Sequence, residues 1–339
     1  MIAYLQAHFG GRLICANGGT YPVIFFPASE SQCRVDSVLH EQPPAAHTMQ
    51  SDYVIYDADH LASRLASRMM TNDLTFTMAH MEAANDRLRI VGSTASYFDM
   101  IATCDALDHE LRDWVRGVRE GTPLRNHLFA QVAPDDALYS GAGRAATIGI
   151  SVLTVFAMHD RGYHALLVQR SNRLAIGAGL FHIMPAFVFQ PVGQPEWQAS
   201  MWSIEQQVLR EFGEELFVMP EYDAWTAPTS PDYFTQFGPV AHLIAMLNDG
   251  RASLTLTGVA INLLSIRPEV CTLLIIHDPD WYATYEAQLA AAQHTERQAT
   301  HYLPVDTLAG LPDRLHIRMV PHGGACLWNG LAKFRSLVG

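Results

Sequence analysis

The sequence predicts an α/β (α+β) protein with a mixed sheet, in which a smaller N-terminal α/β domain precedes a larger C-terminal one. Apolar residues make up 49% of the 339 residues and charged residues 17%, which is enough apolar surface for a core. Strand-like runs alternate with runs that carry apolar residues every three or four positions. Pro, Asp and Gly crowd residues 133–144 without an apolar period, so we place the domain boundary there, with domains at 1–140 and 146–339.

The N-terminal domain contains short elements between turns. A glycine turn leads into a strand that ends at Pro27. Residues 51–70 predict a strand and then a helix whose N-cap is Asp57 or Asp59. Residues 86–117 predict a strand, a connector with aromatic residues and a helix from about Ala106 to Val115.

The C-terminal domain has longer apolar runs. Residues 148–171 predict two strands joined by a turn at 160–162, and residues 181–193 predict another short strand with a turn. The clearest helix lies in SMWSIEQQVLREFGEEL (200–216), starting near Ser203. Further strands are predicted in PVAHLIAML (239–247), SLTLTGVAINLL (253–264) and VCTLLIIHD (270–278). A helix is predicted in 281–293, and a glycine turn leading into a helix in 323–338.

The helix at 200–216 gathers charges on one side. Glu211, Glu214 and Glu215 are three or four positions apart or adjacent, and Arg210 can reach Glu214 at i+4. One interpretation is a solvated helix face with paired Arg and Glu side chains. The other is a cation site, because clustered carboxylates repel one another unless a positive charge lies between them. Carboxylate oxygens are the ligands that Mg²⁺ and Mn²⁺ prefer.

The helix carries Arg210-Glu211-Phe212-Gly213-Glu214-Glu215. With this motif, the order of the elements resembles the Nudix hydrolase superfamily over about residues 146–339. The family motif is G-x5-E-x7-R-E-U-x-E-E-x-G-U, where U is apolar, and the second half matches at R-E-U-x-E-E. The first half departs from it. The family's PGG turn is Pro185-Ala186-Phe187 here, the glycine and glutamate of G-x5-E have no counterparts, and Phe217 stands at the later glycine.

The resemblance implies a Nudix-like α/β/α sandwich that uses Mg²⁺ (or Mn²⁺) to cleave the diphosphate of a nucleoside diphosphate-X or related small molecule. It implies Glu211, Glu214 and Glu215 as metal ligands, with Glu211 and Glu214 catalytic and Arg210 orienting a glutamate. Homodimers are frequent in the family. The missing G-x5-E half leaves two alternatives open: a ligand-binding or sensor protein with little or no catalysis, and another reaction on a diphosphate compound.

Two further side chains are candidates for substrate binding. Arg170 ends a strand and could bind phosphate in bidentate fashion, or it could form a surface salt bridge. His182 precedes the predicted catalytic turn and could contact phosphate, or it could pack between strands with its nitrogens bonded to the backbone.

Charge and cysteine usage exclude several classes of protein. The formal net charge of −12 argues against nonspecific binding to nucleic acid or anionic lipid. The apolar runs are shorter than the roughly 20 residues that span a bilayer, so we expect no membrane insertion. The five cysteines form no CxxC pair, which predicts reduced thiols and a cytoplasmic location.

Overall fold

The structure is a computed structural model that describes residues 1–16, 19–44, 52–67, 70–84, 86–171, 179–220, 230–292, 297–308 and 319–338. Its strands are β1 (Cys15–Ala16), β2 (Gly19–Thr20), β3 (Val23–Pro27), β4 (Leu74–Ala84), β5 (Arg87–Ser96), β6 (Gly149–Met158), β7 (Gly162–Arg170), β8 (Phe181–Ile183), β9 (Ala186–Val188), β10 (Ala252–Asn262), β11 (Arg267–Ile276) and β12 (Arg297–Pro304).

The α-helices are α1 (Ile2–Phe9), α2 (Ala58–Ser67), α3 (Tyr97–Met100), α4 (Ala106–Val115), α5 (Pro123–Gln131), α6 (Asp136–Tyr139), α7 (Ile204–Phe217), α8 (Gly238–Asp249), α9 (Pro279–Ala291), α10 (Val305–Leu308) and α11 (Pro321–Val338). A π-helical turn, Ile101–Asp105, joins α3 to α4. None of the helices in the described ranges is long and apolar enough to cross a membrane.

One large mixed sheet organises the fold. Its strand order is β12-β7-β6-β11-β10-β3, with β8 paired to β7 and β9 paired to β6. The pair β6 and β11 is parallel, whereas the other neighbours are antiparallel. The strands β4 and β5 form a separate hairpin.

Helices cover both faces of this sheet. Side chains of successive strand residues point to opposite faces, so Leu273 and Leu274 of β11 enter different apolar clusters. Leu273 packs in the cluster of α11, and Leu274 packs in the cluster of α7, α8 and α9. The predicted α/β/α sandwich with a mixed sheet is therefore confirmed.

The N-terminal residues share this sheet and core. Strand β3 pairs with β10 at the sheet edge, and Phe76 lies in the same apolar cluster as Phe212 of α7. The fully buried Arg125 donates hydrogen bonds to the carbonyl oxygens of Leu263 and Leu264 at 3.0 and 2.5 Å. The domain division at 140–146 stays a prediction, and the two parts are joined by backbone pairing and a common interior.

The structure corrects four predicted elements. Residues 239–247 belong to helix α8 and not to a strand: Val240, Leu243 and Met246 are buried at helical spacing, and a short apolar run does not distinguish the two by periodicity. The aromatic connector after β5 is helical. Residues 52–56, predicted as a strand, form none.

The fourth correction concerns the glycines at 323–324, which lie inside α11 and not in a turn. A Cβ on Gly323 would lie 3.0 Å from the His182 ring, and one on Gly324 would lie 2.6 Å from Tyr21. The glycines therefore let the helix approach the sheet closely.

Candidate functional site

The acidic helix α7 begins and ends at defined residues. The side chain of Ser203 accepts a hydrogen bond from the backbone N–H of Gln206 at 3.2 Å, as predicted for its N-cap. The helix ends at Phe217, and Val218 follows in a left-handed conformation with φ 55°. Ile204, Val208 and Phe212 are fully buried, which fixes the direction in which the charged residues project.

Arg210 lies at the centre of the charged cluster. Its side chain is 4% exposed and donates to Glu214 Oε2 and Glu211 Oε1, both at 2.6 Å. It also donates to Gln207 Oε1 at 2.8 Å. Burial alone would lower the pKa of Arg210, but the charges of Glu211 and Glu214 outweigh this and raise it. Arg210 is therefore a fixed cation that holds two carboxylates side by side.

Glu214 has an environment that disfavours its charge. Its side chain is 7% exposed, and Tyr233 donates to its Oε1 at 3.2 Å. Burial, assisted by the charge of Glu211, raises the pKa of Glu214 to about 7 against the opposing effect of Arg210. Burial and the charge of Glu214 also raise the pKa of Tyr233. A carboxyl group with such a pKa exchanges a proton near neutrality.

A cavity of about 610 Å³ lies against this helix face. Arg210, Glu211 and Glu214 form one wall. Asp73 and Leu74, from the N-terminal part, form another. The rest comes from β9 and from the segment that follows it, through Gln198. That segment occupies the place of the missing first half of the family motif.

Glu215 is placed differently from its two neighbours. It does not line the cavity, and its Oε1 accepts a hydrogen bond from the backbone N–H of Ala186 at 3.4 Å. Glu211 and Glu214 therefore face the cavity together, while Glu215 contacts the first residue of β9. Its role as a third metal ligand stays a prediction.

The cavity carboxylates suit one kind of metal site. Across the described residues, no three His, Cys, Asp or Glu side chains converge in the geometry of a complete protein metal cage. Mg²⁺ does not need one, because it commonly takes one or two carboxylates and completes its shell with waters and substrate phosphate oxygens. Glu211 and Glu214 fit that requirement, and when both are ionised the two carboxylates with Arg210 leave one net negative charge.

Arg170 and His182, the predicted substrate-binding residues, lie together in a second cavity of about 180 Å³. Phe187 and Val188 line both cavities, so the two adjoin at β9. Arg267, Glu269 and His322 complete the charged lining of the smaller one.

The histidines of this second cavity form a chain of hydrogen bonds. The carbonyl oxygen of Ile183 can only accept, so His182 Nδ1 donates to it, at 2.9 Å. His182 Nε2 is then an acceptor and lies 3.2 Å from His322 Nε2. Burial, then the charges of His322 and Arg170, hold the pKa of His182 well below its usual value. The backbone-bonded packing weighed for His182 is thus present, at the edge of a cavity.

Glu269 supplies the negative charge of this cavity. It is buried, accepts a hydrogen bond from Ser151 Oγ, and lies 3.9 Å from His322 Nε2. Burial lowers the pKa of His322, although the charge of Glu269 raises it in part.

Comparisons with solved structures find matches over somewhat more than half of this chain. A structure search matches the NUDIX domain of Shewanella oneidensis NrtR complexed with ADP ribose, at 14% identity and TM-score 0.32, covering 57% of this chain and 90% of that one. A NUDIX hydrolase from Alicyclobacillus acidocaldarius matches at 13% identity and TM-score 0.29, covering 55% and 91%. A C. elegans Ap4A hydrolase binary complex matches at 13% identity and TM-score 0.26, covering 56% and 98%.

The C-terminal part of the chain resembles Nudix hydrolases. TM-scores below 0.5 bear on neither substrate nor mechanism, which depend here on the chain's own side chains. No protein-family model and no curated protein matches the sequence.

Sequence reasoning missed several residues of these two cavities. Tyr233, Arg267, Glu269 and His322 stand in no motif, and Asp73 lies in the part of the chain to which no function was assigned. A partial signal existed for Glu269, since a lone acidic residue in a strand-like apolar run requires a polar partner when buried. Tyr233 gives no comparable signal.

Proposed function

We propose that this protein is a divalent-cation-dependent hydrolase that cleaves the diphosphate linkage of a nucleoside diphosphate-X or a related small molecule. The supporting observation is that Glu211 and Glu214 face the same 610 Å³ cavity, held together by one buried arginine. We assign Mg²⁺ or Mn²⁺ to these two carboxylates, with waters and ligand phosphate oxygens completing the shell.

The bound cation would neutralise phosphoryl charge and lower the pKa of an attacking water. Arg210 orients both carboxylates, because its planar guanidinium bonds each through a different nitrogen. Arg210 is a positioning residue, since its contacts with Gln207, Glu211 and Glu214 already engage two of its nitrogens.

Glu214 is the candidate general base. Its carboxylate lines the cavity and would accept the proton of a water bound to the neighbouring cation. Tyr233 bonds Oε1 of Glu214 and Arg210 bonds Oε2, so both oxygens have fixed directions.

The smaller cavity accommodates the rest of the ligand. Arg170 and Arg267 bring two positive charges against the single negative charge of Glu269, and the lowered pKa values keep both histidines neutral at pH 7. This charge balance favours a ligand group that carries phosphate or carboxylate oxygens. A space of about 180 Å³ limits that group to a compact one.

The decisive experiment measures cation-dependent phosphate release over nucleotide sugars, NADH, ADP-ribose, dinucleoside polyphosphates and prenyl diphosphates. On any compound that is turned over, Glu214→Gln should lower kcat by about 10²–10⁴-fold. Glu205→Gln is the matched control: Glu205 is on the same helix, but it is exposed and outside the cavity. Normal turnover by the Glu214 variant would remove the assignment.

A second function is favoured by one observation. Among the described side chains no complete three-ligand metal cage is preformed, and the segment after β9 lacks the family's G-x5-E pattern. A ligand-binding or sensor protein with little catalysis needs neither a three-ligand metal cage nor the G-x5-E pattern. Tight binding of one compound from the panel without product release would support it. Homodimer formation and a cytoplasmic location stay predictions.

A further inference from the structure

The cavity wall between β9 and α7 is attached to the N-terminal part of the chain at both of its ends. At the first end, the backbone N–H of Phe76 donates to the carbonyl oxygen of Phe189 at 2.9 Å. At the second end, Trp202 Nε1 donates to the carbonyl oxygen of His40 at 2.9 Å. Of the residues in between, 190–195 and Gln198 line the cavity.

Aromatic packing joins the same two ends. Phe76 of β4 lies against Phe189 and Trp202, with ring centroids 4.7 and 5.0 Å away, and Phe189 stacks on Trp202 at 5.2 Å. Gly92 of β5 makes room, because a Cβ there would lie 2.5 Å from the Trp202 ring. Phe76 and Phe189 are fully buried and Trp202 is 8% exposed, so the cluster excludes water.

Asp36, also in the N-terminal part, holds the start of the acidic helix. Its Oδ1 accepts from the backbone N–H groups of Ile204 and Glu205 at 2.6 and 3.2 Å. Its Oδ2 accepts from Ser203 Oγ at 2.8 Å. Ser203 satisfies the Gln206 amide, so the two side chains together bond three of the four amides that a helix start leaves open. A carboxylate at this end also interacts favourably with the helix dipole.

We infer that the N-terminal part is a structural component of the candidate site, with Asp36 a positioning residue that sets the acidic helix and the cavity wall against each other. This inference rests on the proposed function only for the chemistry of the site, not for the anchoring itself.

Hydrogen exchange of the full-length protein tests the anchoring without any ligand. Asp36→Ala should speed exchange about fivefold at Ile204 and Glu205, the effect of losing a helix cap. It should also speed exchange in residues 190–198, which lie outside the capped helix start. Asp36→Asn keeps an acceptor oxygen and should restore protection at both places.

Two further variants separate a shared anchor from a local cap. Asp57→Ala removes a comparable cap, since Asp57 Oδ1 accepts from the His60 amide at 2.8 Å, and should leave residues 190–206 unchanged. Trp202→Phe keeps an aromatic ring but loses the bond to His40, and should speed exchange in residues 190–198. Faster exchange confined to Ile204 and Glu205 in Asp36→Ala, or unchanged exchange throughout, would overturn the inference.

Binding of Mn²⁺ with inorganic pyrophosphate gives an independent measurement. If the wild type binds this pair, Asp36→Ala should weaken binding several-fold while Asp57→Ala does not, and equal affinities would overturn the positioning role. If the wild type does not bind it, the turnover panel decides the proposed function, and the exchange pattern still decides whether the N-terminal part anchors the cavity wall.

Discussion

His182 and His322 face each other with 3.2 Å between their Nε2 atoms, although the two residues are 140 positions apart in the chain. Burial is the main cause that lowers the pKa of each. Only one hydrogen lies between the two nitrogens in the neutral pair, and protonating both rings would place two donors against each other.

This pair predicts loss of stability in acid. Below the ordinary histidine pKa of 6.5, the unfolded chain binds protons that the folded chain does not. The contribution of this pair to the free energy of unfolding should therefore fall as pH drops below 6.5 and stay level above it. His322→Gln should reduce this slope, as measured by urea unfolding at a series of pH values. The exposed His127 provides the control, because His127→Gln should leave the slope unchanged.

Removing the guanidinium group of Arg210 should cause a large loss of stability. Arg210→Met leaves two buried carboxylates without their cation, which should cost about 3–5 kcal/mol in the free energy of unfolding. Arg210→Lys should fall between that variant and the wild type, because one ammonium cannot bond Gln207, Glu211 and Glu214 with the same geometry. Arg251 pairs with Asp249 and Asp278 on the surface, so Arg251→Met should have little effect. Similar losses for Arg210→Met and Arg251→Met would contradict the buried arrangement.

An added methyl group at Gly149 of β6 would displace the side chain of Glu269 in the smaller cavity. A Cβ at this position would overlap the carboxylate of Glu269. Gly149→Ala should lower the free energy of unfolding by about 1–3 kcal/mol. Gly238, at the start of α8, has open space around its Cβ position, and Gly238→Ala should raise stability by about 0.4–1 kcal/mol. Thermal unfolding of both variants would show opposite shifts in Tm.

Replacing Val218, next to the site, should stabilise the folded protein. Its φ of 55° is unfavourable for a β-branched side chain, and the side chain is 51% exposed, so little burial is lost on removal. Val218→Gly should raise the free energy of unfolding by up to about 1 kcal/mol. Val218→Ala retains a Cβ and should gain less. A lower Tm for the glycine variant would show that the left-handed residue is not strained.

The five cysteines predict two classes of thiol reactivity. Cys15 and Cys33 are exposed, whereas Cys104, Cys271 and Cys326 are buried. Burial raises the pKa of Cys104 and of Cys271, which lowers their thiolate content further. A thiol reagent should modify two groups quickly in the folded protein and three more only on addition of denaturant. Rapid modification of all five would contradict the burial.

Much of the C-terminal architecture follows from the sequence because its signals are local. The apolar runs of β6, β10 and β11 and the Ser203 cap of α7 depend on residues close together in the chain. The bond from Arg210 to Glu214 follows from helical spacing alone. By contrast, α8 has a short apolar run that also suits a strand, and only its packing on the sheet distinguishes the two.

The sequence by itself determined a charged helix with one arginine among three glutamates, and the family that this pattern resembles. Only the tertiary structure decided that Glu211 and Glu214 face a cavity while Glu215 turns to β9, and that Asp36, 167 residues before Ser203, holds the helix start. The physical reason is the distance along the chain between interacting residues. Which side chains are neighbours along one helix is set by the pitch of that helix. Burial, raised pKa values and distant hydrogen-bond partners arise when separate segments pack together and exclude water.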